Sequence, residues 1–262
     1  MRKVEEMITT TVGTLIRPSN YNLNQCTLYN QIEGTLEGND CRTCKNKGYI
    51  LVEVGEYTAL QACECHASRL SRSLIHKSGL SKMVHEYTLD SYLVKEQWQH
   101  YIKNKALEFM IHHDRCWFYI GGQVGVGKTH ICTAIVNKLM EQGHPARYML
   151  WRDEIVKLKA ITMESADYQQ AIMAWKEIKV LYIDDLFKSE KGKPPTQADI
   201  QIAFEIINYR YNNKELITLF SSEKLVNEML DIDEAIGSRI VQMAKYYIIE
   251  IHPDKRKNMR LK

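Results

Sequence analysis

The stretch Gly122-Gln-Val-Gly125-Val-Gly127-Lys128-Thr129 decides the fold. It matches G-x-x-x-x-G-K-[ST], and each position has a physical reason. Glycines let the backbone curl until successive N–H groups point inward at phosphate oxygens. A helix opening behind the loop adds the positive end of its dipole. Lys128 supplies a point charge to the β- and γ-phosphates, and the Thr129 hydroxyl is a ligand for Mg²⁺. Cys116–Ile120 reads as a short apolar strand before the loop and Thr129–Met140 as a helix after it, the context this motif requires. ATP with Mg²⁺ is the expected ligand.

Outward from the loop, apolar strands alternate with helical patterns. Val94–His112 reads as a helix with Trp98, Tyr101, Ile102, Leu107 and Ile111 as its apolar positions. Tyr148–Trp151 reads as a strand, Arg152–Ile161 as a helix, Val180–Ile183 as a strand and Ala198–Tyr211 as a helix. Ile217–Phe220 is a further buried strand, helices follow over about 223–230 and 234–244, and Tyr246–Ile251 is the last strand. Such alternation predicts an α/β fold, a parallel sheet with helices on both faces.

Val180-Leu-Tyr-Ile-Asp184-Asp185 is the second signature. Its carboxylates emerge at the C-terminal end of a central strand, where parallel sheets bind ligands. Asp184 is expected to hold Mg²⁺ and Asp185 to orient or deprotonate the attacking water. Ser221-Ser222-Glu223 ends the next strand: Ser222 either touches the γ-phosphate end or caps the following helix. Arg239 in Ile236-Gly-Ser-Arg239 either reaches a neighbouring subunit's γ-phosphate or is an ordinary surface arginine. Lys188, Lys191 and Lys193 follow the Asp184–Asp185 strand end, and the pattern favours a solvated loop over a DNA contact.

Four of the seven cysteines fall in Cys41-x-x-Cys44 and Cys63-x-Cys65. Two close pairs across a hairpin-sized gap can close a tetrahedral thiolate site, which Zn²⁺ prefers. The competing readings are free buried thiols or a redox pair; His66 and, more distantly, Cys26 are substitute ligands. Four thiolates leave no open position, so the site is expected to be structural. Cys116 and Cys132 read as core residues.

The net charge is +3, and residues 1–93 balance ten basic against ten acidic side chains, so the excess lies in the remainder. That is no argument for nucleic acid by itself. No apolar run approaches membrane-spanning length, and the start lacks an apolar signal core, so a cytoplasmic protein without membrane association is expected.

These motifs in this order resemble the DnaC/DnaI-type helicase loaders of bacteria and their phages, which are AAA+ ATPases. The resemblance rests on the cysteine module, Gly-Lys-Thr129-His130, the strand ending Asp184-Asp185-Leu, Asn208-Tyr-Arg210, the strand ending Phe220-Ser-Ser, Gly-Ser-Arg239 and Asn258-Met-Arg260-Leu-Lys. It implies a zinc-containing helicase-binding module over 1–79, a linker over 80–93 and an AAA+ domain over 94–262 without a C-terminal lid. It further implies that His130 belongs to the nucleotide site and that Arg239 is a finger acting in trans. The partners it implies are a replicative helicase, single-stranded DNA and, on the helicase, further copies of the chain. Without a lid the usual second sensor arginine is missing, so a neighbouring subunit would complete the site. Two positions depart from the family: Glu223 stands where Asn is usual, and Asp185 where most AAA+ ATPases have Glu, which is compatible with slow hydrolysis. The competing functions are the ATPase subunit of a transposition system, which usually lacks the zinc module, and a nucleotide-gated adaptor with little hydrolysis. A replication initiator is disfavoured because only some dozen residues follow the last strand.

Overall fold

The computed structural model describes residues 22–36, 40–55, 57–66, 69, 86–163, 165–189 and 193–261. The sequence pattern suggests short helices over 1–16 and Ala67–His76; these, and Lys191, lie wholly or largely outside the described residues. The chain divides into two compact units, Met1–Leu70 and Ser71–Lys262.

In the first unit a helix α1 (Asn22–Gln31) precedes an antiparallel hairpin, β1 (Tyr49–Val54) and β2 (Tyr57–Ala62). Sequence reading leaves 17–40 as loop on its Asn, Gly and Thr content, and α1 carries no apolar stripe. It is held by polar contacts instead. The Asn30 side chain donates to the Leu51 carbonyl and accepts from the Leu51 N–H, both at 2.9 Å, pairing with β1 as a strand residue would. Lys45 and Lys47 donate to the Gln31 and Ile32 carbonyls that end the helix, a favourable place for cations.

The second unit is a five-stranded sheet: β3 (Phe118–Gly122), β4 (Ala146–Leu150), β5 (Val180–Asp184), β6 (Ile217–Ser221) and β7 (Ile248–Ile251). The order is β4-β5-β6-β3-β7, and every neighbouring pair is parallel. Side-chain alternation along β5 shows how both faces are used. Val180 and Tyr182 pack with α2 (Gln97–Ile111) and α3 (Lys128–Glu141), whereas Leu181 and Ile183 pack beneath the helices of the opposite face. Those are α4 (Trp151–Ala160), α5 (Ser165–Lys176), α6 (Gln197–Asn212), α7 (Val226–Ile232) and α8 (Glu234–Ala244). The α/β class and the helices on both faces are as expected. After β7 come two short 3₁₀ turns, Lys255–Lys257 and Met259–Leu261.

Three details differ from the sequence reading. The core stripe of α2 is Ile102, Ala106, Phe109 and Met110, while Tyr101, Leu107 and Ile111 are exposed. Helix α5, which was not anticipated, buries Ile172 with Tyr168, Ala171 and Trp175 against the same face. The expected linker over 80–93 is corrected in its described part: Tyr92 is 2% exposed in the core, with Leu89 packed beside it, so residues 86–93 belong to the second unit.

Helix α6 starts on a reciprocal cap, in which Thr196 Oγ1 accepts from the Asp199 N–H and the Asp199 carboxylate accepts from the Thr196 N–H. Near its end, Arg210 is completely buried. Its guanidinium donates to Thr218 Oγ1 and to the carbonyls of Lys176, Ile178 and Ile217 at 2.6–2.9 Å. Longer bonds reach Trp175 and Lys179. One side chain thus closes the C-terminal end of α5 and pins it to β6. Burial lowers its pKa to about 9, which leaves it charged at neutral pH. Arg210→Met should strand several buried carbonyls and cost at least about 3 kcal/mol. All four tryptophans (Trp98, Trp117, Trp151, Trp175) lie in this unit, so the shift is readable as the urea midpoint of tryptophan fluorescence.

Candidate functional site

The loop between β3 and α3 passes through left-handed backbone at Gly122, Gly125 and Gly127, with φ of 99°, 78° and 85°. A Cβ at Gly122 would stand 2.2 Å from the Ile251 carbonyl oxygen, and one at Gly125 2.0 Å from Asn258 Oδ1. Only glycine fits, and the bare backbone this leaves is the cradle a phosphate chain requires. The residues present therefore fit ATP. A cavity of about 240 Å³ opens there, lined from the loop by Gly125, Gly127, Lys128, Thr129 and His130. Tyr87, Asp185, Lys188, Glu223, Met259 and Arg260 line it as well.

Lys128 is 7% exposed, and its ammonium donates to the Gly122 and Gln123 carbonyls at 2.7 and 2.8 Å. Burial lowers its pKa, with Asp185 and Glu223 opposing. Its charge is thus held at the loop by backbone oxygens. The His130 ring stacks on Tyr87 at 4.6 Å and meets Tyr92 edge-on. Its Nε2 lies 2.8 Å from the Thr88 carbonyl, an acceptor only, so Nε2 carries the proton.

Asp184 lies behind Thr129 and is 4% exposed. Tyr182 and Tyr148 donate their hydroxyls to its two oxygens at 2.6 and 2.8 Å, Ser221 Oγ donates as well, and Thr129 Oγ1 sits 3.2 Å away. Burial raises the pKa of both tyrosines, so both remain proton donors. The Thr129 hydroxyl and this carboxylate are one hard oxygen site, suited to Mg²⁺.

At Asp185 the chain turns left-handed (φ 56°), and its N–H donates to Ser221 Oγ at 3.0 Å. The turn carries the Asp185 carboxylate to the cavity, where Lys188 pairs it at 2.7 Å and also pairs Glu223 at 3.0 Å. Lys188 is therefore a pocket residue rather than part of a solvated loop. Ser222 closes a turn ahead of α7, whose N-cap is Leu225, rather than capping that helix itself. It is fully buried, donates to the Leu186 carbonyl and accepts from the Lys224 N–H, and it does not line the cavity. Arg239 also lies off this cavity. It donates to the Ala235 carbonyl and packs its guanidinium on Phe204 and Tyr211 at 5.2 and 5.3 Å.

In the first unit, the base of the hairpin brings the cysteine pairs together. Cys41 Sγ and Cys63 Sγ are 3.7 Å apart, Cys44 Sγ and Cys65 Sγ 3.4 Å, and all four sulfurs lie within 4.8 Å of one another. Thiolates around one Zn²⁺ stand about 3.8 Å apart, as bond lengths near 2.3 Å require, so the donor set fits that ion. The Gly48 N–H and Arg69 Nε point at Cys44 and Cys65 sulfur, and Arg69 also binds the Leu36 carbonyl and Asn46. His66 is turned to the Tyr49 hydroxyl at 3.1 Å, and neither it nor Cys26 joins the cluster.

Tyr148, Tyr182 and Arg69 were not singled out from sequence, and Lys188 and Arg260 were named there without a role at the pocket. Tyr182 stands inside the Asp184 signature and is the one with a local signal; the others arrive from separate elements. Tyr148→Phe should leave half of the Asp184 carboxylate short of a donor. The expected cost is about 1.5–3 kcal/mol, read as a lower urea midpoint by tryptophan fluorescence; an unchanged midpoint would remove Tyr148 from the network.

Comparison with known proteins agrees with this geometry. Residues 57–247 match the family described as IstB-like ATP binding protein. The phage-like element PBSX protein XkdC of Bacillus subtilis (strain 168) is 30% identical over 223 residues, 81% of this chain and 82% of its own. The uncharacterized protein YqaM of the same organism is 40% identical over 136 residues, which are 51% of this chain and 42% of YqaM, less than half its length. Among solved structures, the DnaC helicase loader superposes with a TM-score of 0.54 at 22% identity, over 66% of this chain and 99% of that one. The replication initiator DnaA bound to AMPPCP and single-stranded DNA gives 0.52 at 22% identity, over 64% and 50%. At such identities the likeness is one of fold, the AAA+ fold. By its family match and by the fold around its phosphate loop, the chain belongs to the IstB-like ATP-binding protein family.

Proposed function

We propose that this protein uses ATP to place a replicative DNA helicase on single-stranded DNA in the cytoplasm. The observation that carries the reading is the pairing of a phosphate pocket in one unit with a four-cysteine unit ahead of it in the same chain. The fold shared with a DnaC helicase loader supports it, and the likeness to DnaA bound to single-stranded DNA supports the DNA part. The transposition ATPase reading has the family name in its favour, but the cysteine unit favours a loader.

In this mechanism the glycine loop and Lys128 bind the phosphates. Thr129 and Asp184 would hold Mg²⁺, which supplies charge to the phosphate oxygens. Asp185 orients the attacking water and accepts its proton; Lys188 holds that carboxylate in place and is the group it must leave to do so. Arg239 stands half-buried on α8. The rings of Phe204 and Tyr211 fix its guanidinium, and its buried Nε has no partner among the described residues. A stem so fixed suits a finger acting in a neighbour's pocket, on copies assembled along the helicase.

The cysteine cluster is proposed to hold one Zn²⁺ and to shape the helicase-binding unit. Metal analysis should find one zinc per chain. Cys65→Ser should lose it without moving the tryptophan-reported urea midpoint of the ATPase unit, and His66→Ala should retain it. Reduced, freshly purified protein free of zinc would rule the site out.

Loading is tested with the helicase of the same host, circular single-stranded DNA and ATP. Wild type should leave helicase on the circle. Lys128→Ala should fail for lack of nucleotide, and Asp185→Asn should bind ATP without turning it over. Arg239→Ala should bind ATP yet lose hydrolysis by about a thousandfold. A mixture of Lys128→Ala and Arg239→Ala should regain part of the activity, since one variant carries the finger and the other the pocket. A wild type that neither binds nor deposits helicase would end the loader reading.

A further inference from the structure

The chain beyond β7 does not leave the phosphate loop. The Gln123 N–H donates to the Ile251 carbonyl at 2.8 Å, and the Asp254 N–H to Gln123 Oε1 at 2.9 Å. The Met259 N–H then donates to the Gly125 carbonyl at 2.9 Å, inside the loop itself. Asn258 lies so close that only the missing side chain of Gly125 admits it, and the Met259 methyl would stand 2.9 Å from a Cβ at Gly127. From the other side Gln99 of α2 donates to the Met259 sulfur, which also packs on the core. The segment is therefore strapped to the loop by backbone and side-chain bonds on both its flanks.

Arg260 follows in the lining of the same cavity. Its N–H donates to Asn258 Oδ1, the atom that abuts Gly125, so the strap fixes where its side chain begins. The other two cations of the cavity are engaged: Lys128 with two carbonyls, Lys188 with two carboxylates. Arg256, four residues earlier, is held by Asp254. Arg260 makes no ion pair with any described residue, although Asp185 and Glu223 line the same cavity. A guanidinium with five donors, unpaired in the lining of a phosphate cradle, is matched to a phosphate oxygen.

We propose that Arg260 is a nucleotide-binding residue that acts in cis on the phosphate chain, placed by the strap that Asn258 and Met259 form on Gly125. The site then does not depend on a neighbouring subunit for its second arginine, contrary to the expectation from sequence. Binding also becomes coupled to the chain end: a phosphate that engages Arg260 holds the 254–261 segment on the loop.

The test is the affinity of wild type and variants for a fluorescent ATP analogue and its ADP counterpart, with Mg²⁺, at protein concentrations where the chain is monomeric. Arg260→Ala should weaken ATP analogue binding about tenfold or more, the usual worth of hydrogen bonds to a charged group. Arg260→Lys should recover part of it. Arg256→Ala, the same change in net charge on the same segment, should bind as wild type does. Loss confined to the ATP analogue would place the contact at the γ-phosphate, and loss for both at the β-phosphate; either supports the proposal. In addition, saturating nucleotide should slow tryptic removal of the last two residues after Arg260, read by intact mass. Unchanged affinity for both analogues in Arg260→Ala, or an equal loss in Arg256→Ala, would overturn it. The inference rests on the pocket assignment. Lys128→Ala tests that separately: if it binds nucleotide like wild type, the pocket and Arg260 fall together.

Discussion

Asp184 stands at the end of β5 with almost none of its surface exposed, and a charge so placed is costly unless donors surround it. Here the donors come from everywhere the site needs to be tied: Tyr148 from β4, Tyr182 from β5 itself, Ser221 from β6 and Thr129 from α3. Each bond that lowers the cost of that charge also fixes one element at the C-terminal edge of the sheet. The phosphate loop is positioned by the same means, because Thr129 is both its last residue and a donor to Asp184. Tyr148 and Tyr182 face the α2–α3 core, so the carboxylate is anchored from beneath by side chains that are themselves packed. Geometry at the cavity is thereby inherited from the core.

The strand order follows the same logic. With β6 between β3 and β5, Ser221 lies between the phosphate loop and the paired aspartates. It donates to Asp184 and accepts from the Asp185 N–H, so one hydroxyl sets both carboxylates. Beyond it the backbone must turn sharply. Asp185 and Phe187 both adopt positive φ, and for a bulky aromatic residue that is a strained choice. Phe187 is held there by burial and by the edge of Trp151 at 5.5 Å. The strain is sustained because it brings Asp185 out to the cavity while Asp184 stays inside.

Local chemistry was legible in the sequence wherever one segment carries it all. The glycine loop, the Asp184–Asp185 strand and the two cysteine pairs are each contiguous, and each folds as the pattern implies. Helix α5 was legible in principle: Tyr168, Ala171, Ile172 and Trp175 recur at helical spacing. On α2 the exposed Leu107 and Ile111 outweigh, by hydropathy alone, the smaller Ala106 that faces the core. Helix α1 gave no signal because an amide pairing with β1 holds it, and such contacts have no period. Tyr148, Lys188 and Arg260 were beyond reach for a different reason. Each acts on residues that lie far away in the chain or across a turn, and only the closed sheet and the strap bring them together.

The cysteine unit shows the opposite balance between core and chemistry. Among its described residues the buried apolar side chains are Leu51, Ala59, Cys44 and Cys63, few to hold those residues by packing. Two of the four are themselves members of the sulfur cluster. The hairpin contributes register, setting Tyr49 opposite Ala62 so that the two pairs meet at its base. Arg69 contributes charge, reaching Cys65 sulfur while it ties Leu36 and Asn46 to the cluster. Four thiolates in so small a space repel one another unless a cation sits among them. An ion held at that point would do for this unit what the packed sheet does for the other: it would be the interior around which the remaining residues are arranged. A partner that gripped this unit, as the proposed function requires, would then grip a surface whose shape depends on metal, while the ATP-binding unit keeps its fold from its own core.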